Sequence, residues 1–98
     1  MPPVVFTAAA RAEMFEAADW YESHGPGLGA RFVADMDVLV ARLRERPQQF
    51  PRIRQEIRRA LFRKFPYALY FRINPDLVQV IACFHASRDP RRWHERAS

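Results

Sequence analysis

A β-hairpin signal near the carboxyl end of the sequence restricts the possible folds more than any other stretch. From Tyr67 to Ile73, large apolar side chains alternate with smaller or polar ones, which is typical of a strand with one buried face. The turn residues Asn74-Pro75-Asp76 come next, and the run from Leu77 to Ser87 is apolar at both alternating positions. We therefore predict a hairpin whose second strand is covered on both faces of the sheet. Its side chains divide into one set, Val78, Val80, Ala82 and Phe84, and an opposite set, Leu77, Ile81 and Cys83.

Two amphipathic helices are predicted ahead of this hairpin. A short first strand, Val4-Val5-Phe6, leads to Thr7, whose hydroxyl can cap a helix that ends near Ser23. Gly25 is expected to take a left-handed C-cap conformation. The second helix is predicted from Leu28 to about Arg46, and each helix carries one apolar stripe. Two such stripes have to be buried against a third surface, which the strands supply.

The remaining segments complete the predicted element order. The residues from Gln48 to Gln55 are expected to form a loop, and those from Glu56 to Lys64 a strand with a bulge. After the hairpin, Asp89 and Pro90 predict the N-cap and first residue of a short terminal helix. The order is therefore β-α-α-β-β-β in a single α+β domain over residues 1–98. A helical hairpin packs on a mostly antiparallel sheet.

The charge of the chain is unevenly distributed and indicates an anionic partner. The net charge is +5, but residues 1–49 carry five arginines against seven acids, a balance of −2. Residues 50–98 carry eleven basic residues against four acids, a balance of +7. We interpret the basic half as a face that meets nucleic acid or an acidic protein segment. The alternative is an arginine-rich composition without a binding role.

The sequence predicts a cytosolic protein without a cofactor or a metal. Cys83 is the only cysteine, so no disulfide can form within the chain. No apolar run is long enough to span a bilayer, and no signal-peptide pattern is present, so no membrane partner is expected. His24, His85 and His94 are far apart in sequence and give no metal-ligand spacing. There is also no glycine-rich phosphate loop and no nucleophile motif.

Several short motifs in a fixed order resemble the RelE/ParE family of bacterial type II toxins, and most closely its ParE-type branch of plasmid stabilisation toxins. The likeness spans nearly the whole chain. The residues that carry it are Trp20-Tyr21, Gly27-Leu28-Gly29, Pro47 with Phe50-Pro51, Ile57-Arg58-Arg59, Phe65-Pro66-Tyr67, and His85-Ala86-Ser87-Arg88-Asp89-Pro90 followed by Trp93.

The resemblance implies a toxin that its cognate antitoxin neutralises by direct binding, as an extended or helical segment. It implies that the chain reaches operator DNA only through that antitoxin. ParE-like members of the family are linked to blocking DNA gyrase, whereas RelE-like members cut mRNA on the ribosome. The first function is a binding activity and the second is enzymatic, and both stay open at this point.

The residue types near the carboxyl end favour binding over cleavage. RelE-like members use lysines, arginines and a tyrosine there, but Lys64 is the only lysine of this chain and no tyrosine follows Tyr70. A nuclease site would have to use His85 or His94 as acid or base, with arginines that clamp the phosphate. The candidate set for this alternative is His85, Arg88, Arg59 and Arg63.

For the binding function, the predicted target- or antitoxin-binding residues are cationic or aromatic. They are Arg58, Arg59, Arg63, Tyr67, Arg88, Arg91, Arg92 and Trp93. Several have a structural interpretation as well. His85 can be a structural histidine bonded to a loop carbonyl, Tyr67 a half-buried sheet residue, and Trp93 a residue that packs back onto the sheet. Arg91 and Arg92 can belong to a solvated tail.

Overall fold

The computed structural model describes residues 2–87, which form two helices against one face of a five-stranded sheet. The elements are β1 (Val4–Phe6), α1 (Ala8–His24), α2 (Leu28–Glu45), a 3-10 turn (Pro47–Gln49), β2 (Arg52–Arg54), β3 (Ile57–Leu61), β4 (Tyr67–Ile73) and β5 (Val78–His85). The predicted α+β class with its helical hairpin is confirmed. The predicted helix at Asp89 and Pro90 lies outside the described residues.

The sheet has the strand order β1-β5-β4-β3-β2. β1 runs parallel to β5, and the other three pairs are antiparallel. The predicted mostly antiparallel sheet is therefore confirmed. The amino-terminal strand enters beside the carboxyl-terminal strand, because the two helices between β1 and β2 carry the chain over one face of the sheet.

β2 is an element that the sequence analysis missed. The prediction of a continuous loop from Gln48 to Gln55 was wrong for Arg52–Arg54, which pair with β3 at the edge of the sheet. Gln55 has a φ of 51°, and this left-handed conformation allows the short turn into β3. The predicted bulge in β3 is also misplaced, because the irregularities of register lie in the β2–β3 pairing and between β4 and β5.

An extra residue in β5 changes which side chains share a face. Tyr70 pairs with Ala82 and Phe71 pairs with Val80, so Ile81 is unmatched on β4. A bulge of this kind shifts the alternation by one residue from that point onward. The predicted grouping of Ala82 and Phe84 with Val80 was therefore wrong. On the side of the helices lie Val78, Val80 and Cys83, and on the opposite side lie Ile81, Ala82 and Phe84.

Both faces of β4 and β5 are nevertheless buried, as predicted for β5, whereas the prediction of one buried face for β4 was wrong. The larger core cluster lies between the helices and the sheet and includes Phe32, Leu43, Leu69 and Phe71, each 0% exposed. The smaller cluster lies on the opposite face of the sheet. It consists of Ile57, Ala68, Tyr70, Ile81, Ala82 and Phe84.

The ends of the helices are fixed by local polar contacts. Thr7 caps α1 as predicted, because its Oγ1 accepts a hydrogen bond from the Ala10 amide at 3.1 Å. Gly25 is not left-handed, since its φ is 178°, and the left-handed residue is Gly27 with a φ of 86°. Pro26 accounts for the difference, because a residue that precedes proline is driven toward extended backbone.

A carboxylate of α1 holds the start of α2. Glu22 accepts hydrogen bonds from the Gly27 amide at 3.1 Å and from the Gly29 amide at 3.0 Å. A β-carbon at Gly29 would lie 2.8 Å from the Ala18 carbonyl oxygen, so the two helices approach closely there. The Gly27-Leu28-Gly29 motif thus has a structural explanation in the helical hairpin.

Candidate partner-binding surface

Arg58 supports the fold from the side of β3 that faces the helices. It pairs with Phe71, whose ring belongs to the larger core cluster. Its Nη1 donates to the Phe50 carbonyl oxygen at 2.6 Å and to the Gln48 carbonyl oxygen at 3.3 Å. These charge-assisted hydrogen bonds hold the chain that leaves the 3-10 turn against β3. Arg58 is therefore occupied in the folded protein.

Arg59 lies on the opposite face of the sheet. It pairs with Tyr70, which belongs to the smaller cluster on the side away from the helices. Leu61 follows two residues later on the same face and is 52% exposed. Within residues 2–87 the Arg59 guanidinium has no hydrogen bond or ion pair. This side chain is half-buried and has its charge available to a partner.

Arg63 and Lys64 lie in the loop between β3 and β4. Both side chains are exposed, and α2 fixes the backbone beneath them. The Lys64 amide donates to the Asp35 carboxylate at 2.8 Å, although Asp35 is only 6% exposed. The buried carboxylate thus satisfies a loop amide, which is the usual condition for burying such a group. The hydrogen bond fixes the loop and leaves both cationic ends in solvent.

This loop and one flank of α2 enclose a groove of about 600 Å³, which we call the basic groove. Its lining residues are Leu28, Arg31, Ala34, Asp35 and Val38 from α2, and Arg63, Lys64 and Phe65 from the loop. The sequence analysis named Arg63 alone among them as a binding residue. The sequence does contain one indication of the groove, because Val38 is apolar but lies outside the apolar stripe of α2. In the structure this side chain is 49% exposed.

His85 is the last residue of β5 and lies on the side of the helices, next to the β3–β4 loop, whose Pro66 carbonyl oxygen accepts from the Ala86 amide at 2.8 Å. It pairs with Tyr67, and the two rings meet edge to face with their centres 5.5 Å apart. A cavity of about 190 Å³ lies against this pair and the neighbouring flank of α1. We call it the His85 pocket, and its lining residues are Glu13, Glu16, Ala17, Trp20, Tyr67, Cys83, Phe84 and His85.

The His85 ring is held by the turn that follows β5. The Ser87 amide donates to His85 Nδ1 at 3.2 Å, and the Ser87 hydroxyl oxygen is 2.8 Å from the same nitrogen. A nitrogen that accepts the amide proton carries no proton of its own, so this geometry corresponds to the tautomer with its proton on Nε2. The expected hydrogen bond to a loop carbonyl is not the one that forms, because the partners of Nδ1 are the amide and the hydroxyl of Ser87.

The other reactive side chains of the His85 pocket are also held in place. The Cys83 amide donates to Glu13 Oε1 at 3.1 Å. Burial, with a smaller contribution from the Glu13 carboxylate, raises the pKa of the Cys83 thiol to about 12. A thiol with this pKa stays protonated near neutral pH and is a poor nucleophile. Cys83 is therefore a core residue, as its sequence context predicts.

Tyr67 belongs to an aromatic cluster that connects the two regions. Its ring lies 5.1 Å from that of Phe32 and 6.0 Å from that of Tyr21. Phe65, in the wall of the basic groove, lies 4.8 Å from Tyr21 and 5.4 Å from Phe32. Tyr67 is only partly exposed and is supported on several sides, so packing accounts for its position.

The sheet separates two of the residues that a nuclease would need. His85 lies on the helix-covered side, whereas Arg59 is on the opposite side and Arg63 is in the β3–β4 loop. General acid–base chemistry on a clamped phosphate requires such groups within hydrogen-bonding reach of one substrate. The structure places Arg59 and His85 on opposite faces of the sheet, so these two do not meet at one substrate. Arg88, Arg91, Arg92 and Trp93 lie outside the described residues.

Among residues 2–87, no three histidine, cysteine or acidic side chains form a group that could hold a metal ion. Over the same residues, neither helix is long and apolar enough to cross a membrane.

Comparisons with known proteins place these features in a family. The family model described as "ParE toxin of type II toxin-antitoxin system, parDE" matches residues 4–90. Among solved structures, the chain is similar to one described as "Chromosomal ParDE TA system from P. aeruginosa", with a TM-score of 0.76 and 21% sequence identity. The match covers 87% of this chain and 96% of the other, and at this identity it establishes the fold. A search of curated proteins found no significant match.

Proposed function

Because the chain belongs to the ParE toxin family of type II toxin-antitoxin systems, we propose that it arrests growth by binding a macromolecular target and that a cognate antitoxin neutralises it by direct contact. The target we propose is DNA gyrase, in the cytoplasm. The observation that carries this proposal is the basic groove, where three exposed cationic side chains border an apolar floor. Such a surface suits recognition of a protein better than it suits catalysis.

Charge supports an acidic antitoxin segment. The second half of the chain has a balance of +7, and Arg63 and Lys64 present their charges to solvent. Potentials of opposite sign accelerate association and suppress wrong partners. Arg58 is the exception among the predicted contact residues, since its guanidinium bonds to backbone carbonyls of its own chain. We propose that the chain associates with operator DNA only as part of the toxin–antitoxin complex.

The position of Arg59 on the face of the sheet opposite His85 supports a binding toxin over an mRNA endonuclease. Cleavage needs a base for the 2′-hydroxyl, a phosphate clamp and an acid for the leaving oxygen. His85 Nδ1 accepts a hydrogen bond from the Ser87 amide, and the other titratable residues that line its pocket are Glu13, Glu16, Tyr67 and Cys83. Carboxylates repel a phosphate, so the His85 pocket is electrostatically unsuited to RNA.

Expression of the chain without its antitoxin tests the proposal. We expect growth arrest, loss of negative supercoiling in a reporter plasmid and intact transcripts. In a reconstituted assay, the purified chain should inhibit supercoiling by gyrase, and equimolar antitoxin should restore it. Rapid fragmentation of mRNA with normal supercoiling would instead establish the endonuclease. Unimpaired growth at high expression would reject both toxic activities.

A further inference from the structure

A cavity of about 320 Å³ lies where α1 begins, against β4 and β5, and we call it the Arg72 cavity. Its lining residues are Thr7 and Ala9 at the start of α1, Arg72 of β4, and Gln79 and Ile81 of β5. None of these five residues lines the basic groove or the His85 pocket. A role for this cavity is therefore separate from the surfaces described above.

Arg72 gives the cavity its charge. It pairs with Gln79 in the β4–β5 ladder, so the two side chains lie on the same face of the sheet. Arg72 is half-buried, and its Nε is buried without a hydrogen-bond partner. No carboxylate among residues 2–87 forms an ion pair with this guanidinium. A cation withdrawn from water in this way is unfavourable unless an anion compensates it.

The amino-terminal end of α1 adds further donors to the cavity. The Thr7 side chain accepts from the Ala10 amide, and the Thr7 carbonyl oxygen accepts from the Arg11 amide. The amides of Ala8 and Ala9, the first two residues of the helix, have no hydrogen-bond partner within residues 2–87. The positive end of the helix dipole lies at these amides, and the first turn contains no acidic side chain.

These donors select the kind of anion that the cavity can hold. Arg72 offers its N–H groups from the sheet, and Ala8 and Ala9 offer theirs from the helix. A carboxylate presents two oxygens in one plane, whereas a tetrahedral phosphate presents oxygens in several directions and can accept from both elements. Helix amino termini and arginine forks are both common phosphate ligands in proteins. None of the described residues that line the cavity is acidic, so none repels a phosphate.

We propose that the Arg72 cavity binds a phosphate group, either inorganic phosphate or the phosphate of a small phosphorylated molecule. The phosphate lies between the Arg72 guanidinium and the Ala8 and Ala9 amides. Bound there, it compensates the charge of Arg72 and links the start of α1 to β4. The volume of the cavity is within the range of small-molecule sites, so it has room for a phosphate and a small organic group. This site is independent of the toxin function, and its test requires neither an antitoxin nor a growth assay.

The test is a titration of the isotope-labelled full chain with inorganic phosphate, followed by NMR at constant ionic strength. The amide resonances of Ala8 and Ala9 should shift saturably, because these amides donate to the anion. Arg72→Gln keeps a long polar side chain but removes the charge, and it should weaken binding at least about tenfold. Arg54→Gln removes a charge at an exposed position of β2 outside the cavity, and its Kd should stay within about threefold of wild type.

A second variant tests the cavity from the side of the helix. Ala9→Asp places a carboxylate at the positive end of α1, where it competes with phosphate, so binding should weaken at least about tenfold. The same carboxylate stabilises the helix, and Ala9 is exposed, so the midpoint of thermal unfolding without phosphate should not fall. Weaker binding with an intact fold then reflects the site itself. Ala41→Asp, at an exposed position of α2, controls for net charge and should bind phosphate within about threefold of wild type.

Further titrations distinguish the two sources of the phosphate. If adenosine monophosphate binds as tightly as inorganic phosphate or more tightly, the occupant is a phosphorylated small molecule, and if it binds more weakly, the occupant is the free ion. Acetate should bind at least about tenfold more weakly than either. The proposal is overturned if acetate and phosphate bind equally, if Ala8 and Ala9 show no saturable shift, or if Arg72→Gln binds phosphate like the wild type.

Discussion

The His85 pocket and the basic groove border the same aromatic cluster, but they leave their polar groups in different states. In the His85 pocket, Ser87 bonds to the histidine ring, and the Glu13 carboxylate accepts an amide of β5. In the basic groove, the buried Asp35 bonds to the loop backbone, whereas Arg31 and Arg63 remain exposed. The reactive side chain types thus occur in the pocket, and the available charges occur in the groove.

This difference shows why residue type alone is a weak guide to function in this fold. A histidine, a cysteine, a tyrosine and two glutamates around one cavity suggest catalysis when they are read as types. Their hydrogen bonds and burial assign several of them to structure. The groove holds no unusual residue type, and its significance comes from cations placed around an exposed apolar floor.

The largest expected effect comes from removing the ring that supports both regions. Phe32 is 0% exposed and stacks on Phe62 with ring centres 5.0 Å apart. Phe32→Ala should lower the free energy of unfolding by about 3–5 kcal/mol, because it leaves a cavity at the centre of the cluster. Urea denaturation measures this, with exposed Phe15→Ala as the control. A loss below about 1 kcal/mol would show that the two regions do not share this support.

A smaller effect should distinguish the groove from the pocket. Asp35→Ala removes the acceptor of the Lys64 amide and should cost about 1–3 kcal/mol, because the amide is left without a partner. Hydrogen exchange at the Lys64 amide should accelerate, while exchange in β5 changes little. Asp37→Ala, at an exposed position of the same helix, is the matched control. If hydrogen exchange accelerated equally at the Lys64 amide and in β5, the β3–β4 loop and β5 would not be anchored independently.

The His85 ring should matter modestly for stability and not for antitoxin binding. His85→Ala removes the acceptor of the Ser87 amide and should cost roughly 0.5–1.5 kcal/mol. The Kd for the antitoxin should stay within about threefold of wild type. Calorimetry and urea denaturation on the same samples measure both quantities. A large loss of affinity without a loss of stability would move the binding surface to the His85 pocket.

The smallest effect concerns Cys83, and it is absent at neutral pH. Its pKa is raised from 9.0 to about 12 in the folded protein, so between these values the folded chain keeps a proton that the unfolded chain releases. The free energy of unfolding should therefore fall as the pH rises from about 9 toward about 12. Cys83→Ala should show a shallower fall, on the order of 1 kcal/mol less at pH 10. If the free energy of unfolding fell equally with pH in the wild type and in Cys83→Ala, the Cys83 thiol would not stay protonated in the folded protein.

The layout of the fold was largely predictable from the sequence. The helix stripes, the Thr7 cap and the β4–β5 hairpin follow from local patterns that the tertiary structure preserves. β2 escaped prediction because a three-residue edge strand has little periodicity of its own. The bulge at Ile81 escaped because one inserted residue leaves the apolar composition unchanged while it reverses the faces.

The candidate site was predictable in its chemistry but not in its place. Arginines in the second half indicated an anionic partner; Arg63 is exposed and Arg59 is half-buried, and neither has a partner among residues 2–87. The sequence could not show that Arg58 bonds to its own backbone carbonyls. It also could not show that Asp35 meets Lys64 across twenty-nine residues to form the groove. Contacts of this range depend on packing, which no local pattern encodes.

Two arginines four residues apart provide the most direct test of the central claim that the basic groove, and no other basic surface, binds the antitoxin. Arg63 lines the groove, and Arg59 lies on the opposite face of the sheet. The measurement is the Kd for the antitoxin of Arg63→Glu beside that of Arg59→Glu, at one ionic strength. The groove account predicts at least about tenfold weaker binding for Arg63→Glu and a change within about threefold for Arg59→Glu. Equal losses for the two variants, or a larger loss for Arg59→Glu, would contradict it.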